Sequence, residues 1–233
     1  MNHAIIVAGG VGSRMNLDIP KQFYEIDGTP VFLHSVKKFA AHPQINSITI
    51  VLSDEWTPYV KQQLRKEKLD IKILIAQAGR SRQHSVYNGL TALRSIASDN
   101  DLVFIHDAVR PLFPVSIIDD CIDACSAFDS ALPVISVKDA TYQSYDGETL
   151  SRILPRQELF SGQSPECFIY GKYLKAHSSF TDDEIGGIRG GAELAFRAGL
   201  SVKLVPGSEA NFKITTIEDL RAFEWSLSNH VQP

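Results

Sequence analysis

Short apolar runs alternate with longer stretches of helical periodicity along this chain. Residues 4–7 are continuously apolar and read as a buried strand. Residues 31–41 place Val31, Phe32, Ser35, Val36 and Phe39 on one face, the spacing of a helix. Further strands are predicted at 47–52, which is β-branched, and at 71–76, 102–106 and 131–137. Helices are predicted at 55–68, a charged amphipathic stretch, and at 81–95 and 116–128. Downstream, 182–198 reads as a helix, 202–205 as a strand and 217–227 as a closing helix capped by Thr215 or Thr216. Such alternation predicts an α/β fold, a doubly wound and mostly parallel sheet with helices on both faces. Ligands of such sheets bind beyond the carboxyl ends of the strands. A glycine-rich turn, residues 79–85 and Asp107 all fall at or just after such ends.

Residues 138–159 break the alternation. Two strand-like runs, 140–145 and 148–154, flank Asp146-Gly147, a hairpin signal with little helical cover. Its bland reading is a surface excursion; its functional reading is an arm that packs on another subunit.

Composition narrows the function classes. The 233 residues fit one α/β domain, 1–233, carrying that insertion. A formal net charge of −4 leaves no global basic field for nucleic acid, so any positive charge that matters is local. Three cysteines, Cys121, Cys125 and Cys167, form no paired framework, and reduced thiols in a cytoplasmic protein are expected. No apolar run approaches a membrane span, and the strand-like opening has no charged-then-apolar leader.

The candidate chemistry starts where the first strand ends. Ala8, Gly9, Gly10 and Gly12 form a turn whose backbone can approach a ligand and point N–H groups at phosphate oxygens. Arg14 follows, then Lys21 between Pro20 and Gln22, adding a fork and a point charge beside that cradle. The parts suit a polyphosphate. A Walker A run is absent, and the third glycine of a dinucleotide fingerprint is replaced by Met15.

From Ala8 through Met15, and then at Pro20-Lys21-Gln22, the chain resembles the CTP-dependent cytidylyltransferases of polyol phosphates. The resemblance continues through residues 79–90, His106-Asp107-Ala108-Val109-Arg110-Pro111, Gly162-Gln163-Ser164-Pro165 and Asn211-Phe212-Lys213-Ile214-Thr215. It implies a Rossmann-like nucleotidyltransferase fold, a homodimer joined through the hairpin arm, and transfer of CMP from CTP with release of pyrophosphate. By the same resemblance Arg14 and Lys21 grip the triphosphate, and Lys213 reaches the α-phosphate. Gly79, Arg82 and Ser85 then form a second nucleotide loop, with the base read largely by backbone around Ala8 and that loop. Arg156 binds the acceptor phosphate from the neighbouring subunit, and Asp107 and the arm residue Thr141 belong to the acceptor side.

Read without the resemblance, Asp107 closes an apolar run and suits Mg2+, a ribose hydroxyl or a turn cap paired with Arg110. Asn211 could join such a metal through its amide oxygen. Lys213 lies between apolar neighbours that would face away from it in a strand. His106 has no histidine cluster around it and reads as structural.

Two departures fall on the acceptor side. Asp139-Ala140 replaces the Asp-Thr common in the methylerythritol-phosphate branch, with Thr141 one place later, and Ser164-Pro165-Glu166 replaces Thr-Pro-Gln. Lys21-Gln22-Phe23, Gly162-Gln163 and the motif around Asp107 lean toward ribitol 5-phosphate as acceptor; 2-C-methyl-D-erythritol 4-phosphate is the alternative. An NAD(P)-linked reductase is disfavoured by the absent third glycine and by Lys21. A non-catalytic nucleotide-binding module is disfavoured by the joint presence of Arg14, Lys21, Asp107 and Lys213.

Overall fold

The computed structural model describes residues 1–10 and 19–229. In chain order, β1 (Asn2–Val7) leads to a short 3-10 turn at Lys21–Phe23 and a small hairpin, β2 (Glu25–Ile26) and β3 (Thr29–Pro30). Helix α1 (Val31–Ala41), β4 (Ser47–Leu52), α2 (Thr57–Lys66), β5 (Lys72–Gln77), α3 (Arg82–Ala92), β6 (Leu102–Asp107), α4 (Ser116–Ala124) and β7 (Ser130–Ser136) complete the alternating part. The second hairpin is β8 (Thr141–Gln143) and β9 (Arg152–Leu154). Then follow β10 (Phe160–Gly162), β11 (Glu166–Ile169), α5 (Tyr170–Ser178), α6 (Asp182–Gly187), α7 (Gly191–Arg197), β12 (Val202–Pro206) and α8 (Ile217–Ser228).

The main sheet runs β10-β7-β11-β6-β1-β4-β5, with β12 on the other side of β7. Strand β1 pairs in parallel with β4 and β6, β4 with β5, and β7 with β12. Strands β10 and β11 run antiparallel to their neighbours. They lie end to end along one side of β7, separated by the Ser164-Pro165 step. The mostly parallel sheet expected from the pattern is present, with β10 and β11 as additions. Their residues are interrupted by Gly162 and Pro165, which hid them from a reading of apolar runs. The helix expected at 182–198 is two helices. Gly186, Gly187 and Gly190 interrupt it, since each glycine costs about 1 kcal/mol in a helix interior.

Alternate residues of the central strands feed two cores. Ile6, Ile48, Ile50 and Phe104 pack with Phe32, Val36 and Phe39 of α1 and with Ile117 and Ile118 of α4. Ile5, Val51, Val103 and Ile105 pack on the other face with Val86 and Leu90 of α3 and with Tyr170 and Tyr173 of α5. This two-sided burial is why the strands read as continuous apolar runs. A third cluster seats α8 through Leu220 and Phe223 against Ile26, Val31, Val109, Leu112 and Ile214. Each buried side chain of this size contributes about 1.5–3 kcal/mol, so α8 firmly holds the segment that carries Lys213.

Among the described residues the β8–β9 hairpin pairs only with itself. Gly147 makes its turn at φ 80°, and Asp146 Oδ1 accepts from the backbone N–H groups of Glu148 and Thr149. Tyr142, Leu150 and Ile153 are each more than 60 % exposed.

Helix α3 crosses the sheet closely at Gly89, where an added Cβ would lie 2.7 Å from Ile5 Cγ2 and 3.0 Å from Val51 Cγ2. Gly89→Ala should therefore destabilise the protein by about 1–2 kcal/mol, overpacking outweighing the better helix propensity of alanine. Urea denaturation measures this; a stabilised variant would show that the strands yield at that contact.

Candidate active site

The parallel strands β1, β5 and β6 end on one rim, and three loops meet there. Ala8 and Gly9 continue β1, with Ala8 N–H donating to Val51 O at 2.7 Å. Gly9 has no room for a side chain, since a Cβ there would lie 2.6 Å from Ala78 Cβ. Gln22 Nε2 donates to Ala8 O at 2.7 Å and to Gly10 O at 2.6 Å, clamping the glycine turn from outside. The turn carrying Lys21 is anchored by buried Phe23, which stacks on Trp56 at 4.6 Å. Gly12 and Arg14 lie outside the described residues.

The second loop packs as tightly. Ser81 caps α3 by accepting from His84 N–H, and Gly79 N–H donates to Ser85 Oγ at 2.9 Å. Ser85 Oγ in turn donates to Ser81 O at 3.0 Å. Arg80 and His84 both pair with Asp182 at the start of α6, tying this loop to the 182–193 segment.

Asp107 is the last residue of β6 and the meeting point of the cations. Arg82 Nε donates to Oδ1 at 3.1 Å, Lys213 Nζ donates to Oδ2 at 2.8 Å, and Arg110 Nε stands 3.9 Å from Oδ2. Burial alone would raise the Asp107 carboxyl, but Arg82, Lys213 and Arg110 outweigh it and hold the group well below the usual carboxylate range. Burial likewise works against charge on Arg82, and Asp107 and Glu166 overcome it.

Two clefts share this cluster as a wall. The larger, about 490 Å3, brings together Ala8, Gly9, Gly10, Lys21, Gly79, Arg82, Ser85, Asp107 and Lys213. These are the described residues predicted for the nucleotide, together with Asp107. The smaller, about 350 Å3, is lined on the far side of the same three charges by Arg110, Ser164, Glu166 and Arg189, among others. Glu166 was singled out in the sequence only as a departure. In the fold its carboxylate takes Arg82 Nη2 at 3.3 Å.

Other residues singled out in the sequence lie outside both clefts. Asn211 is fully buried, and its Nδ2 donates to Ser164 O at 2.8 Å and to Gln163 Oε1 at 3.2 Å. It lines neither cleft, and through Nδ2 it braces the Gln163-Ser164 segment, while its amide oxygen is buried. Thr141 and Arg156 also line neither cleft. Thr141 Oγ1 donates to Asp139 O, and Arg156 Nη1 donates to Lys138 O at 2.9 Å on the exposed hairpin. His106 is buried and its imidazole is pushed down to about 3, chiefly by burial, so it stays neutral. Among the described residues no cluster of three or more His, Cys, Asp or Glu could hold a metal.

A sheet of this order, ending in a glycine turn, two lysines and a shared cation cluster, defines a nucleotidyltransferase. Residues 2–229 match the family model of 2-C-methyl-D-erythritol 4-phosphate cytidylyltransferase (IspD), and the chain belongs to that family. It is an enzyme of the cytidylyltransferase type. The enzyme of that name from Clostridium novyi (strain NT) is 37 % identical over 229 residues, covering 98 % of this chain and 97 % of the relative. That of Geobacillus thermodenitrificans (strain NG80-2) is 33 % identical over 239 residues, covering 99 % of both. The crystal structure of Francisella tularensis 2-C-methyl-D-erythritol 4-phosphate cytidylyltransferase superposes with a TM-score of 0.81 at 25 % identity, over 96 % of this chain and 98 % of that one. The motif-based preference for ribitol 5-phosphate finds no support here, because family and relatives carry the other acceptor in their names.

Asp107→Asn would leave Arg82 and Arg110 short of a counter-charge in a partly buried site. The folded Asp107 lies below its unfolded value, so its stabilisation is present above about pH 4 and is lost as pH falls further. At pH 7 the variant should lose about 2–4 kcal/mol in urea denaturation. A loss below about 0.5 kcal/mol would show that the cluster contributes nothing to stability.

Proposed function

We propose that this chain transfers CMP from CTP to 2-C-methyl-D-erythritol 4-phosphate, releasing pyrophosphate. The observation that carries the reading is the pair of clefts meeting at one wall of Arg82, Asp107 and Lys213. One cleft is sized and lined for a nucleotide, the other for a smaller anion, and the cations stand between them. The family match supports the choice of acceptor.

In this reading the glycine turn and Lys21, with Arg14, hold the triphosphate. Backbone groups at Ala8 and the 79–85 loop read the base. An acceptor phosphate oxygen attacks the α-phosphorus, a new P–O bond forms, and the bond to the bridging oxygen breaks as pyrophosphate leaves. The attacking group is already an anion, so the barrier is charge repulsion more than proton transfer. Lys213 moves from Asp107 onto the α-phosphate and lowers that repulsion.

The donor set suits Mg2+ only in a limited way. Asp107 is one carboxylate among cations, so it would hold the ion jointly with phosphate oxygens and water, as magnesium prefers. When bound, the ion neutralises triphosphate charge.

Pyrophosphate release with CTP and a panel of polyol phosphates tests the reading. The expected order of kcat/KM is methylerythritol phosphate well above ribitol 5-phosphate. The reverse order would overturn the acceptor, and no release with any of them the reaction. Lys213→Ala should lower kcat on the order of 100-fold or more with the circular dichroism unchanged.

We also propose a homodimer joined through β8 and β9. An isolated two-stranded hairpin is marginal in water, and this one exposes Tyr142, Leu150 and Ile153. Arg156 and Thr141, which line neither cleft of their own chain, would then serve the partner's acceptor cleft. Arg156→Ala and Lys21→Ala dimers should each be nearly inactive, and mixing them should restore activity through the one site that keeps both residues. Subunits shown to have exchanged without recovered turnover would sink the shared site.

A further inference from the structure

Glu166 opens β11 with its side chain almost wholly buried; the residue is 5 % exposed. Its Oε1 accepts from Ala192 N–H at 2.8 Å, and its Oε2 from Gly191 N–H at 3.3 Å and Arg82 Nη2 at 3.3 Å. It thus ties the first turn of α7 to Arg82. The fit is close, because a Cβ on Gly191 would lie 2.8 Å from Oε2. Arg82 pairs with two carboxylates, its Nη2 lying 3.1 Å from Asp107 Oδ1 and 3.3 Å from Glu166 Oε2.

The charges form a row. Lys213 is held by Asp107, Asp107 by Arg82, and Arg82 by Glu166. Counting Arg110, three cations face two carboxylates, an excess of one positive charge. Arg189 and Glu193 also line the smaller cleft, with Glu193 paired to Arg197 and outside this row. Without Glu166 the excess doubles. Arg82 would then pair with Asp107 alone and compete with Lys213 for it, loosening the lysine. Both effects strengthen the hold on phosphate oxygens.

We infer that Glu166 is a positioning residue for Arg82, holding the guanidinium between the two clefts and limiting how tightly the site grips phosphate. It touches no reacting atom and acts through Arg82 and the charge balance. Limiting that grip matters for a transferase whose product is a free polyanion, because pyrophosphate bound too firmly slows each turnover. The inference rests on the proposed nucleotidyl transfer but not on the identity of the acceptor.

The test is calorimetric titration of the whole 233-residue chain with inorganic pyrophosphate, without acceptor. Glu166→Gln, which keeps the side chain's length and removes its charge, should bind pyrophosphate about tenfold more tightly than the wild type and lose affinity more steeply with added KCl. Glu166→Asp keeps the charge while reaching α7 less well, and should stay within about twofold of the wild type even if it melts earlier. Should Glu166→Gln not fold, Glu166→Met, neutral and of similar length, carries the same expectation. In steady state the Gln variant should lower KM for CTP and kcat together. A neutral variant with unchanged pyrophosphate affinity, whatever its melting temperature, would overturn the inference and leave Glu166 as an anchor for α7. A wild type that binds pyrophosphate but turns over no acceptor would instead overturn the proposed reaction while this comparison stands.

Discussion

A carboxylate at the end of a buried strand must be compensated, and Asp107 is compensated by residues from three separate parts of the chain. Arg82 comes from the first turn of α3, Arg110 from the loop after β6, and Lys213 from the segment before α8. They are 25, 3 and 106 residues away in sequence. Each would pay a desolvation cost alone, so the cluster is stable only when the parts of the fold that carry them are in place. Charge pairing and packing therefore demand the same arrangement, and the cations are assembled before any phosphate arrives. Preorganised charge of this kind needs no rearrangement of solvent at the moment of reaction.

Uncharged braces hold the cluster's backbone. His106 is neutral, so a consistent proton assignment follows: Nε2–H donates to Arg110 O at 3.1 Å, and Nδ1 accepts from Ser164 Oγ at 3.2 Å. Ser164 Oγ accepts in turn from Asp107 N–H at 3.0 Å. Asn211 adds Nδ2 to Ser164 O, and its own carbonyl accepts from Arg110 Nη1 at 2.6 Å. Ile214 N–H donates to Val109 O beside the buried face of α8. Because burial keeps His106 uncharged down to about pH 3, this brace does not change across the working pH range. The motifs around Asp107, Ser164 and Asn211 are distant in sequence and form one hydrogen-bonded unit.

How much of this was legible depended on whether a feature is local. Helix α1 and strand β4 appear within the predicted bounds, since each has an uninterrupted period and a buried face. Strands β10 and β11 were missed because antiparallel pairing along β7 is a long-range choice, and Gly162 and Pro165 erase the local pattern. In the site, Lys21 and the glycine turn were legible as adjacent residues. The clamp made by Gln22 was not, though its place beside Lys21 was a usable signal. The placement of Asn211 was not legible, because its neighbour Lys213 faces the cleft and only the fold reveals that Asn211 turns inward to Gln163 and Ser164.

The acceptor was the least legible property, and the electrostatics explain why. A triphosphate presents the same charge whatever it will be joined to, so in the proposed reading the glycine turn, lysines and cation cluster answer to the nucleotide alone. The motifs that carried the resemblance are nearly all of this kind, and a preference for ribitol 5-phosphate drawn from them rested on residues with little to say about a polyol. Distinguishing two polyols requires a few hydroxyl contacts, supplied by side chains that carry no motif and, in the shared-site reading, by another subunit. Similarity along the whole chain weighs many such positions at once. That is why it favours methylerythritol phosphate where the motifs leaned the other way, and why Glu166, a departure on the acceptor side, is better understood through the charge it balances than through the motif it breaks.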